Sequence, residues 1–156
     1  MRTKKNQTVF IVMIAIAAIT MQGCASSRNV ALTQKNLEGS WVLKTLNGKD
    51  VGTIFSQTKP TLQFDFTEKT IHGTGGCNSY TGRFIMINNL LNSPEIVSTK
   101  RFCFGANAED EFLKAMREDK NLSLKDGILR MTDEKKNVVM EFERPIDMTN
   151  TLMTFF

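Results

Sequence analysis

The N-terminal residues decide how much of this chain is available to fold. Arg2, Lys4 and Lys5 precede an uninterrupted apolar run over residues 9–19, and uncharged residues lead from there to Cys24. This succession of basic charge, apolar run and uncharged residues is typical of a secretory signal that is cleaved from the mature protein. An uncleaved anchor is disfavoured, because a membrane-spanning helix needs roughly 20 apolar residues. Residues 24–156 then remain, which suffice for one domain with a single core.

The end of this segment, Met-Gln-Gly-Cys at 21–24, resembles the lipobox of bacterial lipoproteins. The resemblance implies that residues 1–23 are a lipoprotein signal peptide and that Cys24 is acylated as the first mature residue. A plain secretory signal is the alternative. Several acyl chains hold a protein on a membrane far longer than one chain does. Because no run of acids follows Cys24, we expect lipid anchoring at the cell outer membrane, with the domain facing the periplasm.

The net charge argues against a nucleic-acid partner. The whole chain carries a formal charge of +4, but Arg2, Lys4 and Lys5 lie in the signal, so the mature charge is +4 − 3 = +1. Basic and acidic residues are interspersed in the remainder rather than gathered into blocks. No electrostatic footprint for nucleic acid is therefore left once the signal is removed.

Cys77 and Cys103 are the cysteines that remain if Cys24 carries lipid. Disulfides persist outside the cytosol, and a bridge between residues 77 and 103 would contribute about 3.5 kcal/mol in the chain-entropy relation. Two free buried thiols are a second interpretation. A metal site is a third, but zinc needs four ligands, and His72 is the only histidine of the sequence.

Alternating apolar residues predict several short strands. Leu62, Phe64 and Phe66 alternate with polar residues and therefore share one face of a sheet. Turn dipeptides at residues 47–48 and 126–127 (Asn-Gly and Asp-Gly) indicate hairpins. Further strands are predicted over residues 39–46, 83–87, 95–99, 122–124, 128–131 and 138–142.

One segment has helical spacing instead. Residues 109–119 place apolar side chains three and four positions apart, with acids in the first turn and Asn107 as the candidate N-cap. Many short strands and one helix predict an α+β fold. We expect a small, mostly antiparallel β-sheet or partly open barrel with one packed α-helix.

The two ends of the mature chain differ from this pattern. Residues 24–36 are polar and aperiodic, which predicts a flexible tether, and the folded unit is expected to begin at Leu37. For the C-terminal tail, residues 145–156, the sequence allows either an extra edge segment or disorder. The terminal Phe155-Phe156 resembles the end of outer-membrane barrel proteins, but four phenylalanines can instead fill a single soluble core: Phe66, Phe102, Phe104 and Phe142.

Several segments in order resemble the META domain, which is found in HslJ-type bacterial lipoproteins. The match spans about residues 37–143, so we assign residues 37–144 to a META-like domain. It implies a compact, mostly antiparallel β domain with a helix and no established catalytic activity, in envelope proteins linked to stress. The matching segments are Leu37–Leu43, Leu62–Phe66, Ile71–Gly82, Ser98–Cys103 and Leu124–Met131.

Within this pattern we expect structural roles for Gly76, Asn78, Gly82 and Thr99. Asn78 is interpreted as a residue that fixes a turn, because buried polar groups require hydrogen-bond partners. The glycine cluster at 73–76 is interpreted as a bend. A phosphate cradle uses a helix N-terminus, and strand-like sequence follows here. His72 is a weak candidate for a catalytic base, since nothing in the local sequence fixes a nucleophile or an orienting acid beside it.

The sequence predicts a lipid-anchored envelope protein that is not an enzyme. We expect no catalytic residues, no metal and no cofactor, because no such cluster stands out. The expected role is in envelope stress or integrity through binding an envelope protein, with a disulfide-braced domain presenting an edge strand or apolar groove. The alternatives are a carrier or sensor of a small apolar ligand inside a partly open barrel, and a hydrolase that uses His72.

Overall fold

A computed structural model describes residues 29–105 and 107–146 of the chain. The predicted signal, Cys24 and residues 147–156 lie outside the described residues. The strands are β1 (Asn29–Val30), β2 (Ser40–Leu46), β3 (Lys49–Asp50), β4 (Thr61–Asp65), β5 (Thr70–Thr74), β6 (Ser79–Arg83), β7 (Ile85–Ile87), β8 (Leu90–Asn92), β9 (Ile96–Ser98), β10 (Lys120–Lys125), β11 (Ile128–Thr132) and β12 (Val138–Glu143). The helices are α1 (Gln34–Leu37), α2 (Val51–Ile54) and α3 (Glu109–Arg117). Over the described ranges, no helix has the length and apolar character needed to cross a membrane.

The described strands pair antiparallel in the order β7-β8-β10-β11-β12-β2-β4-β5-β6-β9, with β1 added beside β10 and β3 beside β2. The sheet curls into a half-barrel. The predicted α+β fold with a mostly antiparallel sheet is therefore confirmed. The structure adds two helices of four residues each, α1 and α2, to the one predicted helix.

The core lies between the curled sheet and α3. Strand β4 alternates half-buried and buried residues, as its sequence predicts, and β10 alternates buried and exposed ones. The helix buries its Phe112 completely, and this ring lies edge-on to Tyr80 (5.7 Å between centroids) and to Phe142 (6.4 Å). Such aromatic pairs add to the free energy gained from burying their area.

The predicted strand over 83–87 is divided by a corner at Phe84. Strand β6 ends at Arg83, and β7 begins at Ile85 at the opposite edge of the sheet. Phe84 is 5% exposed, packs against Phe64 and Phe66, and its backbone N–H donates to the Lys69 carbonyl (3.0 Å). At this buried residue the chain passes from β6, which lies beside the edge strand β9, to β7 at the opposite edge.

The two dipeptide turns predicted from sequence are present. Asn47 and Gly48 have φ values of 48° and 76°, and Asp126 and Gly127 have 52° and 78°. Positive φ at both central residues is the geometry that favours Asn-Gly and Asp-Gly in two-residue hairpins. These turns set the register of β2 with β3 and of β10 with β11.

The folded unit begins earlier than the sequence indicates. β1 pairs with the end of β10, and α1 starts at its N-cap Thr33, whose side chain accepts a bond from Asn36 N. Leu37 is buried, and its carbonyl accepts a hydrogen bond from Trp41 Nε1 (2.9 Å). Residues 29–36 of the predicted tether therefore contact the domain. A short capped helix has no periodicity for a sequence analysis to detect.

Candidate functional site

Two cysteines link neighbouring segments at one end of the sheet. Cys77 lies between β5 and β6, and Cys103 lies between β9 and α3. The structure places their sulfur atoms at disulfide-bonding distance, with the Cα atoms 6.3 Å apart. The bridge connects the glycine-rich bend before β6 to residues 99–105, which we call the aromatic loop because they include Phe102 and Phe104.

Asn78 connects the same two segments by hydrogen bonds. Its side chain is buried, and Oδ1 accepts from Thr99 Oγ1 (2.9 Å) and from the backbone N–H of Arg101 (2.7 Å). Its Nδ2 donates to the Arg101 carbonyl (3.3 Å). The interpretation of Asn78 as a residue that fixes a local turn is therefore too narrow, since it holds a loop more than twenty residues away in sequence.

Glu109 completes this network, and nothing in the local sequence indicates that it does. The residue is 8% exposed, and its carboxylate accepts from the backbone N–H of Asn78 (2.7 Å), from Asn78 Nδ2 (2.6 Å) and from Cys77 N (3.3 Å). An acid in the first helical turn is usually read as a partner of the helix dipole. Here it faces inward and binds the bend beside the disulfide.

The start of α3 differs slightly from the prediction. The N-cap is Ala108 rather than Asn107, and it makes no side-chain cap hydrogen bond. Asn107 Oδ1 nevertheless accepts from the backbone N–H of Glu109 (3.0 Å), two residues on, which is the hydrogen bond expected of an N-cap side chain. Asn107 also forms an isolated β-bridge with Phe55, so it is held just before the helix.

The glycines of the bend leave room for these contacts. A Cβ on Gly75 would lie 2.7 Å from Glu109 Oε1. Gly76 has a φ of +113°, and a Cβ there would lie 2.5 Å from the Phe55 ring. Gly82 lies in β6, where a Cβ would come within 2.8 Å of Ile96 Cγ1 in the paired strand β9. At each of these three positions a larger residue would clash with a neighbour, which gives a steric reason for glycine there.

The aromatic loop exposes two phenylalanines. Phe102 is 84% exposed and Phe104 is 75% exposed, and their ring centroids lie 5.0 Å apart in an edge-to-face arrangement. Clefts of about 420 and 460 Å³ flank the loop. Gln57 Nε2 donates to the Phe104 carbonyl (3.1 Å), and Arg101 Nη2 donates to the Cys77 carbonyl (2.6 Å). The backbone of the loop is therefore held at both ends.

The prediction that Phe102 and Phe104 fill the core is wrong, whereas Phe142 is fully buried and Phe66 partly so. The reason lies in Cys103. The bridge directs its side chain to Cys77, while the rings of both neighbours are exposed and contact each other. The sequence signal for the exposure of Phe102 and Phe104 is a disulfide-bonded cysteine between two aromatic residues.

The aromatic loop and Leu32, near the N-terminal end of the described chain, lie at opposite ends of the β5–β6 hairpin. The loop lies beside Thr74 and Ser79, at one end of the β5–β6 hairpin, because the Thr99 N–H donates to the Ser79 carbonyl (3.0 Å). Leu32 lies at the other end, in a cleft that also contains Lys69 and Phe84. The length of the hairpin separates the loop from the segment that would lead to a lipid anchor.

His72 lies outside this site. It is exposed on β5 and pairs across the sheet with Gln63, at 3.0 Å between Nε2 and Oε1. A glutamine amide is neither a nucleophile nor an acid that would orient a catalytic base. Within the described ranges, no group of three or more His, Cys, Asp or Glu side chains could hold a metal ion.

The shifted pKa values belong to structural residues. Burial raises the pKa of Tyr80, whose hydroxyl donates to the Thr61 carbonyl (2.8 Å). Hydrogen bonds from Asn137 lower the pKa of Asp133 in the turn before β12. Desolvation lowers the pKa of Arg144, whose guanidinium lies 3.8 Å from the centroid of the Trp41 ring.

Comparison with known proteins identifies the family. The profile of the META domain matches residues 30–146, and none of the curated proteins matches the sequence. Two structures solved by NMR resemble the fold. One has 20% identity and a TM-score of 0.57, over 72% of this chain and 94% of its own. The other, from Burkholderia xenovorans, has 18% identity and a TM-score of 0.55, over 80% of this chain and 99% of its own. The chain belongs to the META domain family.

Proposed function

We propose that this protein is a non-enzymatic binding domain of the bacterial cell envelope, anchored by lipid at Cys24, which captures a protein partner through its aromatic loop. The observation that carries the proposal is the exposure of Phe102 and Phe104, at 84% and 75%, on a loop fixed by the Cys77–Cys103 bridge. Through this partner the protein acts in envelope integrity under stress.

The physical argument for binding concerns the cost of ordering a loop. Exposed aromatic side chains are enriched at protein interfaces, where they supply most of the binding free energy. A mobile loop loses conformational entropy when it binds, and a loop that is already rigid loses less. The bridge and the hydrogen bonds of Asn78 hold this loop before any partner arrives.

The position of the loop supports a protein partner rather than the membrane that would hold the anchor. Leu32 lies near the start of the described chain, on the side of Cys24, and it is at the opposite end of the β5–β6 hairpin from the loop. A domain tethered at that end would direct its aromatic side chains away from its own membrane. The surface offered to the periplasm is then the aromatic one.

Packing of the half-barrel favours this function over carriage of a small apolar ligand. The side chains that line the interior pack on one another, and the largest of them are Trp41, Phe112 and Phe142, each at most 1% exposed. A carrier needs a cavity that stays open for its ligand. The clefts beside the aromatic loop are open to solvent and suit contacts with another protein.

The test compares capture of envelope proteins by two double variants. Phe102→Ser with Phe104→Ser removes the aromatic pair, and Ile85→Ser with Ile87→Ser removes two similarly exposed apolar residues on β7. After crosslinking in cells, we expect the wild type and the Ile variant to recover the same discrete partner and the Phe variant to lose it at least tenfold. Equal recovery by both variants, or loss only in the Ile variant, would contradict the proposal.

The anchor is tested separately. Cells fed a palmitate analogue should label the wild-type protein at Cys24 and leave a Cys24→Ser variant unlabelled.

Growth of a deletion strain under heat and other envelope stress should be restored by the wild type and not by the Phe double variant. Restoration by the Phe double variant would separate the stress role from the aromatic loop.

A further inference from the structure

A second apolar surface lies at the other end of the molecule. A cleft of about 320 Å³ is lined by α1 and its preceding residues on one side and by β7 on the other. Its back wall is aromatic, since Phe66 and Phe84 lie there with ring centroids 5.6 Å apart. Leu32 and Met86 are only partly buried and complete the apolar lining.

The side wall of this cleft is an unpaired sheet edge. Among the described residues, β7 pairs with β8 and with no other strand, so it ends the sheet. Ile85 and Ile87 are 62% and 65% exposed on it. An exposed apolar edge strand offers free N–H and C=O groups to a further strand, and soluble proteins usually cover such an edge.

The described chain ends next to this cleft. Arg144, just after β12, donates from Nη2 to the Asn36 carbonyl (2.8 Å) and from Nη1 to the Ser40 carbonyl (3.2 Å). Asn36 belongs to α1, whose Leu37 lines the cleft. Residues 147–156 therefore start beside the wall of the cleft, and a ten-residue extended strand reaches about 33 Å.

The sequence of this segment suits an edge strand. Ile146, Met148, Leu152 and Phe156 lie on one face at a spacing of two, and the two other positions of that face, Asn150 and Thr154, are polar. Threonine and phenylalanine, which favour strands, make up half of residues 147–156. The segment has no proline or glycine, and Asp147 is its one charged residue.

We propose that residues 147–156 add to the free edge of β7 as a further strand and place their apolar face in this cleft. The inference is independent of the proposed function, because the cleft and the aromatic loop lie at opposite ends of the β5–β6 hairpin. It gives the C-terminal tail a role in the folded domain.

A photo-crosslinker tests the position of the tail. With p-benzoyl-phenylalanine in place of Leu152 in the mature chain, we expect a crosslink within one chain to Met86 or Leu32, mapped by mass spectrometry. The same group in place of Thr151, on the other face of the strand, should crosslink there at least fivefold less. A crosslink between two copies, to another protein or to residues outside the cleft would overturn the proposal.

Hydrogen exchange tests the covered edge without a label. A chain that stops after Ile146 should exchange its β7 amides at least tenfold faster than the full chain, while the β5 amides keep their rates. Met148→Ser with Leu152→Ser should reproduce the faster exchange, and the matched pair Thr149→Ser with Thr151→Ser should not. Equal β7 exchange in the truncated and full chains would overturn the proposal.

Discussion

At the scale of single residues, the most unusual group is the buried carboxylate of Glu109. Its hydrogen-bond donors are the backbone N–H groups of Cys77 and Asn78 and the side-chain amide of Asn78, rather than an arginine or lysine side chain. A carboxylate removed from water is strongly destabilising unless hydrogen bonds replace its hydration. Two backbone N–H groups and one side-chain amide do so here, and hydrogen bonds to a charged group are stronger than neutral ones.

Replacing Glu109 by Gln should therefore lower stability. The new amide NH₂ would face Asn78 Nδ2 or a backbone N–H, which pairs two donors and leaves one unsatisfied. We expect a loss of about 1–3 kcal/mol in the free energy of unfolding, the cost of an unmatched buried polar group. Urea denaturation measures it, and Asp110→Asn, in the same helical turn but exposed, is the control. Equal effects of the two variants would show that Glu109 contributes no more than a surface acid.

Tyr80 should make stability depend on alkaline pH. Burial raises its pKa in the folded state, so the folded protein keeps the phenol proton that the unfolded chain releases above pH about 10. Stability from this residue is complete below that pH and is lost as pH rises, by about 1.4 kcal/mol per pH unit. Urea unfolding at pH 8 to 11 should show a steeper decline for the wild type than for Tyr80→Phe. Parallel declines would contradict the assignment.

At the scale of elements, the sequence was most informative where one pattern determines one structure. The alternation of apolar and polar residues predicts β4, and the Asn47-Gly48 dipeptide predicts the hairpin of β2 and β3. The sequence does not predict α1 and α2, because a helix of four residues depends on a cap and a tertiary contact rather than on periodicity. The corner at Phe84 was missed for the same reason, since the residue suits a strand and its burial against Phe64 and Phe66 is a tertiary contact.

The edge strand β9 is protected by a side chain from α3. Arg117 donates from Nε (3.3 Å) and Nη2 (3.1 Å) to the Ile96 carbonyl, while Val97 stays 65% exposed. A charged group at a strand edge hinders pairing with another chain. Arg117→Ala should therefore cost about 1 kcal/mol and increase aggregation, measured by light scattering at elevated temperature. Lys114→Ala removes a neighbouring basic residue of the same last turn. Equal aggregation of both variants would assign the effect to net charge.

At the scale of the whole molecule, the candidate site combines parts that the sequence could and could not indicate. The sequence indicates Cys77, Asn78 and Thr99, and the structure brings Asn78 and Thr99 into contact beside the Cys77–Cys103 bridge. Glu109 lies more than thirty residues from Asn78, and nothing local shows that it faces inward. The exposure of Phe102 and Phe104 depends on which way Cys103 points, and composition alone favours the core for such residues.

The last prediction concerns how the bridge and the aromatic loop act together. Cys77→Ser with Cys103→Ser removes a link that closes a long loop, and the chain-entropy relation gives a loss of about 3.5 kcal/mol in the free energy of unfolding. The hydrogen bonds of Asn78 and Gln57 remain, so the far-ultraviolet circular dichroism should not change. Partner capture should nevertheless fall, since residues 102–105 would lose the restraint at Cys103. Urea unfolding and crosslinking measure the two effects. Full capture by the bridge-free variant, despite its lower stability, would show that loop rigidity does not contribute to binding.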